Sequence, residues 1–346
     1  MKIVRLIFIK RIHGIGALVI VLLLASIMGS CSFFSKNKLD INDSKLPAAK
    51  VILKPYDVAL FSCDTTKLAF ELTRIQPEYA YFLGNNPTEV ANLQQIRKFV
   101  TDPNLRKLYN KTRKTFPDAA QIESKLTMAG RRFLYYFPGQ NLPDFYSYIS
   151  GVYYESAILA DQNAVVIGLD CYLGSGEEMY TQMGIPLYLS ERMTADYIVK
   201  DAFLAIYQQK VALNGSSATI LQEMIEAGKR LYFVEAMQAD ITGNVLMGYR
   251  ESQFKWAVEN QAEVWAYLVS EQLLYKNDFM MFKKLFGDGP FTREFSEEAP
   301  ARLGEFIGWQ IVKAFMERNS EVKLNELVQL TDYQRILTDS RYKPKK

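Results

Sequence analysis

Ala164-Val165-Val166-Ile167-Gly168-Leu169-Asp170-Cys171-Tyr172-Leu173-Gly174-Ser175-Gly176 is the stretch whose reading decides the fold. Its first six residues are a compact, β-branched run of the length expected for a buried strand. Phe145–Ser156, rich in Tyr and Ile, reads as a second strand paired with it, with Asp161-Gln162-Asn163 as the turn signal between them. Nearly everything outward from this pair has helical spacing. Upstream, a short strand at Val51–Leu53 precedes expected helices near Thr65–Leu72, Pro87–Phe99, Pro103–Lys111 and Asp118–Phe137. Downstream the expected helices are Ala195–Leu213, Ser217–Ala227 closed by Gly228, Glu251–Tyr275, Arg302–Asn319 and Leu324–Leu330. The expected fold class is therefore α+β, mostly α-helical with a small β-sheet. Residues 51–346 read as a single globular domain, with a helical part over 51–145 and a second part over 146–346.

The polar half of the opening stretch is a loop at a strand end, a common place for function. Asp170 and Tyr172 are candidate ligand contacts there; the competing reading is a turning loop with Asp as a cap and Gly at unusual dihedrals. Its glycines do not form G-x-G-x-x-G at a helix start, and no G-x-x-x-x-G-K-[ST] phosphate loop occurs in the chain. Within Glu251–Tyr275, Phe254, Val258, Ala262, Trp265 and Val269 form one expected apolar stripe. Trp256, Asn260, Glu263 and Tyr267 fall on another face, where aromatic rings beside an amide and a carboxylate could wall a groove for a sugar or peptide. A helix packed on two sides explains the same pattern.

The N-terminus has a different character. Lys2, Arg5, Lys10 and Arg11 precede the apolar run Ile15 to Met28, as in a signal peptide, and the run is shorter than the roughly 20 residues of a membrane-spanning helix. It ends at Met28-Gly29-Ser30-Cys31, which resembles the lipobox of bacterial lipoproteins. That resemblance implies cleavage after residue 30, lipid on the Cys31 thiol and amino group, and a membrane anchor of several acyl chains. Polar residues to position 50 read as a flexible tether over 31–50. Removing four of the 41 Lys+Arg leaves 37 against 38 Asp+Glu, so the mature chain would be near neutral, without the basic footprint of a nucleic-acid binder. The one histidine, His13, would leave with the signal. Imidazole-based triads and His-ligated zinc are thereby excluded from the mature chain.

No cofactor is expected. Carboxylate chemistry needs only two suitably spaced acids, and Glu177, Glu178, Asp196, Asp201, Glu235, Glu259 and Glu263 are eligible by type. Cys63 and Cys171 form an even pair in an exported chain, so they could make a disulfide, or Cys171 could be a buried small hydrophobe.

The order of several motifs carries a family resemblance. They are Cys31, Tyr135-Tyr136-Phe137-Pro138, Ile167 to Gly174, Gly228-Lys229-Arg230-Leu231-Tyr232, Gly248-Tyr249, Gln253 with Trp256, Trp265, Gly304 to Val312, and Ser340-Arg341-Tyr342-Lys343-Pro344. Together they resemble the GldB family of gliding-motility lipoproteins of the Bacteroidetes, over essentially the whole mature chain. The resemblance implies an envelope lipoprotein anchored by membrane lipid at Cys31; Ser32-Phe33-Phe34-Ser35-Lys36 lacks the acidic run that resembles a surface-export signal, so the domain is expected to face the periplasm, in the outer rather than the inner membrane. It also implies other proteins of the gliding and type IX secretion machinery as partners, and no enzymatic activity. That family is distantly similar to zincin metallopeptidases, whose HExxH helix corresponds best to Ile198–Leu204. Lys200 and Leu204 would stand at the histidine positions and Asp201 at the glutamate, so the zinc site would be dismantled and a peptide-sized cleft left. The candidate binding residues are accordingly Asp170, Tyr172, Lys200, Asp201, Tyr249, Trp256, Asn260 and Glu263. The alternatives are a carboxylate-dependent glycan or peptidoglycan hydrolase and a carbohydrate-binding lipoprotein.

Overall fold

A computed structural model describes residues 38–210 and 219–344, so the signal segment and Cys31 lie outside the described residues. From Ile41 onward the described residues belong to one compact unit, which contains every helix and strand discussed below.

In chain order that unit comprises β1 (Leu53–Pro55), α1 (Tyr56–Phe61), α2 (Leu68–Leu83), α3 (Val90–Thr101), α4 (Pro103–Thr115), α5 (Ala120–Tyr136), β2 (Asp144–Tyr148), β3 (Ile158–Ala160) and β4 (Ala164–Gly168). The helices α6 (Glu178–Gln182), α7 (Leu187–Ser190), α8 (Ile198–Lys210), α9 (Ile220–Met237) and α10 (Gly243–Met247) follow. The remainder is α11 (Glu251–Ser270), α12 (Phe279–Phe286), α13 (Leu303–Arg318), α14 (Leu324–Leu327) and α15 (Tyr333–Ser340). The fold is mostly helical with one small mixed sheet, as the α+β reading expects. Among the described residues no helix is long and apolar enough to cross a membrane.

The sheet order is β1-β2-β4-β3. Every residue of β4 is buried, which fits a strand covered on both faces. The pairing differs from the expected hairpin of Phe145–Ser156 with Ala164–Leu169. β2 runs parallel to β4, with Tyr146 opposite Val166, and the short β3 makes the antiparallel partner, with Leu159 opposite Val166. The Asp161 turn joins β3 to β4, and its Oδ1 accepts from the amides of Asn163 and Ala164. β2 stops at Tyr148 because Gly151 and Val152 both take positive φ, which breaks an extended strand. The 145/146 boundary between the two expected parts falls inside β2, and β1 pairs with that same strand.

The tether expected over 31–50 is shorter at its described end. Asn42 caps a 3-10 turn at Asp43–Lys45, Leu46 is buried, and Arg131 donates to the carbonyls of Asp43, Leu46 and Pro47. Three carbonyls on one guanidinium fix this segment to α5.

The centre of the helical layer is α9, which buries side chains all round its surface, as a helix enclosed by others must. It crosses α13 at glycines. A Cβ on Gly228 would stand 2.3 Å from the Gly308 carbonyl oxygen, and one on Gly308 would stand 1.7 Å from that of Met224. Gly228 therefore does not end a helix as the sequence suggested; it lies within α9, where the two backbones touch. On α11 the buried residues are Ala257, Val264 and Leu268, whereas Val258 and Val269 of the expected stripe are exposed. The face was misplaced because the helix carries apolar residues on several sides.

Cys63 and Cys171 are free and buried, which corrects the disulfide option. The Cys63 thiol donates to the Ala59 carbonyl at the end of α1, and Cys171 contacts Ser150 Oγ beside the sheet, so each sulfur is engaged locally. We expect both to resist alkylation in the native chain and to react after denaturation, with an intact mass indifferent to reductant. Gly228→Ala and Gly308→Ala should each lower unfolding free energy by at least the upper part of the roughly 1–3 kcal/mol of core overpacking, because the obstacle is backbone. Denaturant titration of the two variants measures this.

Candidate functional site

The loop after β4 organises the site. Gly168 leads into a 3-10 turn, Leu169–Cys171, that turns Asp170 inward to 0% exposure. Its carboxylate accepts from Ser150 N at 2.9 Å, Ser150 Oγ at 2.9 Å and Val152 N at 2.7 Å. These bonds hold the Gly151-Val152 turn, whose φ values of 75° and 61° include a β-branched residue in a region such residues rarely adopt. Burial pushes the Asp170 carboxyl above its ordinary range against those three donors. Asp170 is thus a clamp behind the site and not a ligand contact. Tyr180 OH donates to the Asp170 carbonyl at 2.8 Å and accepts from Leu173 N at 3.0 Å, so the loop is tied on both sides.

Cys171 and Tyr172, the next residues, open onto a cleft of about 640 Å³. Helix α8 supplies Lys200 and Asp201, and the segment containing α7 supplies Tyr188 and Arg192, with Tyr197 just before α8 and Asp288 from a distant loop. The Tyr172 hydroxyl donates to Asp201 Oδ2 at 2.9 Å. Burial, and then the Asp201 charge, keeps that phenol well above its usual range, so it is a fixed donor. Val199, Ala202, Phe203 and Ile206 form the core-facing side of α8.

Lys200 is not the solvated member of a surface pair. Its side chain is 9% exposed, and its Nζ lies 3.7 Å from Asp201 Oδ1 and 5.1 Å from the Tyr197 ring centroid. Burial lowers its pKa; the neighbouring Arg302 and Arg192 push the same way, while Asp201 and Glu305 oppose them.

The Arg192 Nη2 to Asp288 Oδ2 distance is 2.5 Å, and Arg302 Nε lies 3.4 Å from Asp288 Oδ1. Behind this wall, Tyr249 donates to the Ala301 carbonyl and sets its ring 5.4 Å from the Arg302 guanidinium. Tyr249 therefore supports a charged neighbour of the cleft and does not line it.

Of the eight expected binding residues, the structure brings Tyr172, Lys200 and Asp201 into one cleft, with Asp170 and Tyr249 behind it. Trp256, Asn260 and Glu263 stand apart on α11, where Asn260 donates back to the Trp256 carbonyl as an ordinary helix-surface amide. Arg192, Tyr188, Tyr197 and Asp288 escaped sequence reasoning. Only Asp288 had a signal, the Gly287-Asp288-Gly289-Pro290 loop. Among the described residues no group of three or more His, Cys, Asp or Glu is placed to hold a metal ion.

Comparison with known proteins agrees with the order of motifs. The family model for gliding motility protein GldB matches residues 35–344, so the chain belongs to the GldB family of gliding-motility lipoproteins. No curated protein and no solved structure matches it.

Asp170→Asn should cost about 1–3 kcal/mol of stability, because an amide cannot accept all three bonds and presents a donor to a donor. Thermal unfolding should report that loss. A variant that unfolds like the parent would show that the clamp does not hold the turn.

Proposed function

We propose that this chain is a lipid-anchored component of the gliding apparatus and its associated type IX secretion machinery, held in the outer membrane through Cys31 and facing the periplasm. In this reading it performs no catalysis and binds a segment of another envelope protein in the cleft between Tyr172, Tyr188 and Lys200. The family supports the gliding and lipoprotein parts. The observation that carries the binding part is the cleft, about 640 Å³ with several tyrosines in its walls and charges of both signs in reach. Tyrosine walls give large contact area at low cost in side-chain entropy.

Binding is favoured over carboxylate catalysis by how the acids of the cleft are used. Of the three acids that line it, Asp201 accepts from Tyr172 and faces Lys200, Asp288 is paired with Arg192 and Arg302, and Glu155 is exposed. Acid-base catalysis by a carboxylate pair needs both groups free to meet the substrate, and Asp201 and Asp288 are engaged by neighbours. Helix α8, with Lys200 and Leu204 one turn apart, is where a zincin ancestry would have carried its metal ligands, and the cleft would be what remains of that site.

A photo-crosslinking amino acid in place of Tyr188, in gliding cells, should capture one envelope protein. Tyr188→Ala combined with Tyr154→Ala should slow colony spreading without lowering the amount of protein. Normal spreading by that variant would remove the cleft from the function, and turnover of labelled peptidoglycan by the purified chain would replace binding with hydrolysis.

A further inference from the structure

Three cations converge behind one wall of the cleft: Arg192, Lys200 and Arg302. Their internal partners leave donors unused. Lys200 Nζ, on a side chain more than nine-tenths buried and lining the cleft, makes no hydrogen bond to any described residue; Asp201 at 3.7 Å is beyond hydrogen-bond reach. Arg302 Nε is likewise buried without a hydrogen bond, its approach to Asp288 being 3.4 Å. The Lys200 stem is packed while its ammonium reaches the cleft, so its donors are open to a ligand, and the group that takes them best is an anionic acceptor.

The structure also contains a carboxylate already seated against this wall. Asp288 comes from the short loop after α12, 96 residues from Arg192 in sequence, and Gly289 N donates to its Oδ1. Its side chain is 39% exposed, so its pairing with Arg192 is open to water. Exposed ion pairs contribute little stability, and a flanking Gly on each side gives the loop backbone freedom to withdraw. The tyrosine walls stand beside this anion position.

We propose that the cleft recognises a carboxylate carried by an acidic segment of the incoming protein, which Lys200 and Arg192 receive as the Asp288 carboxylate is displaced. This rests on the reading of the cleft as a binding site and names the chemistry that it selects. Lys200 is the selective element, since within the chain its ammonium has an ion pair with Asp201 at 3.7 Å and the Tyr197 ring but no hydrogen bond. Asp288 is an internal occupant that weak or neutral competitors do not replace, and Tyr172 holds Asp201 by one oxygen while the other faces Lys200.

The test uses the full chain in lipid nanodiscs and two rhodamine-labelled peptides, tetra-aspartate and tetra-asparagine, followed by fluorescence anisotropy. Saturable binding of the aspartate peptide is expected, with the asparagine peptide at least about tenfold weaker, as a charge-assisted contact requires. Asp288→Asn should tighten binding several-fold. Lys200→Met, which fills the same space without charge, and Arg192→Gln, which removes the guanidinium paired with Asp288, should each weaken it about tenfold. Equal binding of the two peptides, or no tightening by Asp288→Asn, would overturn the proposal. If the Tyr188-position crosslinker still captures an envelope protein while the aspartate peptide fails to bind, carboxylate recognition falls and the binding reading stands. Loss of capture itself removes that reading.

Discussion

The close approach of α9 and α13 at Gly228 and Gly308 is the constraint on which the rest of the helical layer depends. Backbone stands against backbone there, a geometry that any side chain would prevent. Once the two helices are seated, their neighbours find fixed partners. Trp309 Nε1 and Lys313 Nζ both reach Glu235, the buried Lys229 reaches the carbonyls beyond α14, and Arg132 of α5 donates to the Ala236 carbonyl. Charged groups in such positions are tolerable because each finds partners. The crossing also fixes the start of α13, where Arg302 takes a left-handed conformation and donates to the Met247 carbonyl. The cationic wall of the cleft is thus an outcome of helix packing some distance away.

How much of this could be read from sequence follows from which features are local. The β4 run was legible because five buried residues in succession leave few options. The direction of its pairing was not, since a hydrophobic pattern says which strands are buried and not which way their neighbours run. Gly228 was misread for a related reason. A glycine late in an apolar periodic stretch marks a helix end or a close approach equally well, and only the location of Gly308 decides. On α11 the apolar residues are spread widely enough that the buried face is chosen by what packs against it, namely the one with Ala257, Val264 and Leu268.

The site was half legible for the same physical reason. Tyr172 follows a strand end and could be nominated from local pattern, whereas Lys200 and Asp201 are nominated through the resemblance of their helix to a zincin helix, its periodicity showing only that they lie off the core stripe. That Lys200 is buried is a tertiary fact: Tyr197 covers it, and Arg192 and Arg302 approach from other segments. Arg192 and Asp288 carry no local signal of pairing, yet their contact shapes the wall. Asp170 was recognised as unusual, but in the other sense. A carboxylate with three donors and no exposure is there to hold a strained turn, and the residues after it line the cleft.

The energetics of that wall argue for recognition over stability. Burying an ammonium beside two guanidinium groups brings desolvation and like-charge repulsion that Asp201, Asp288 and Glu305 offset only in part, and an apolar residue at position 200 would avoid both. The fold does not need the charge, because the core face of α8 is carried by Val199, Ala202, Phe203 and Ile206. A lysine whose stem is packed and whose tip lines a cleft is placed to meet a ligand, as the proposed reading requires. The stem fixes the position of the ammonium beside the Tyr197 ring, and in that reading its donors select what enters.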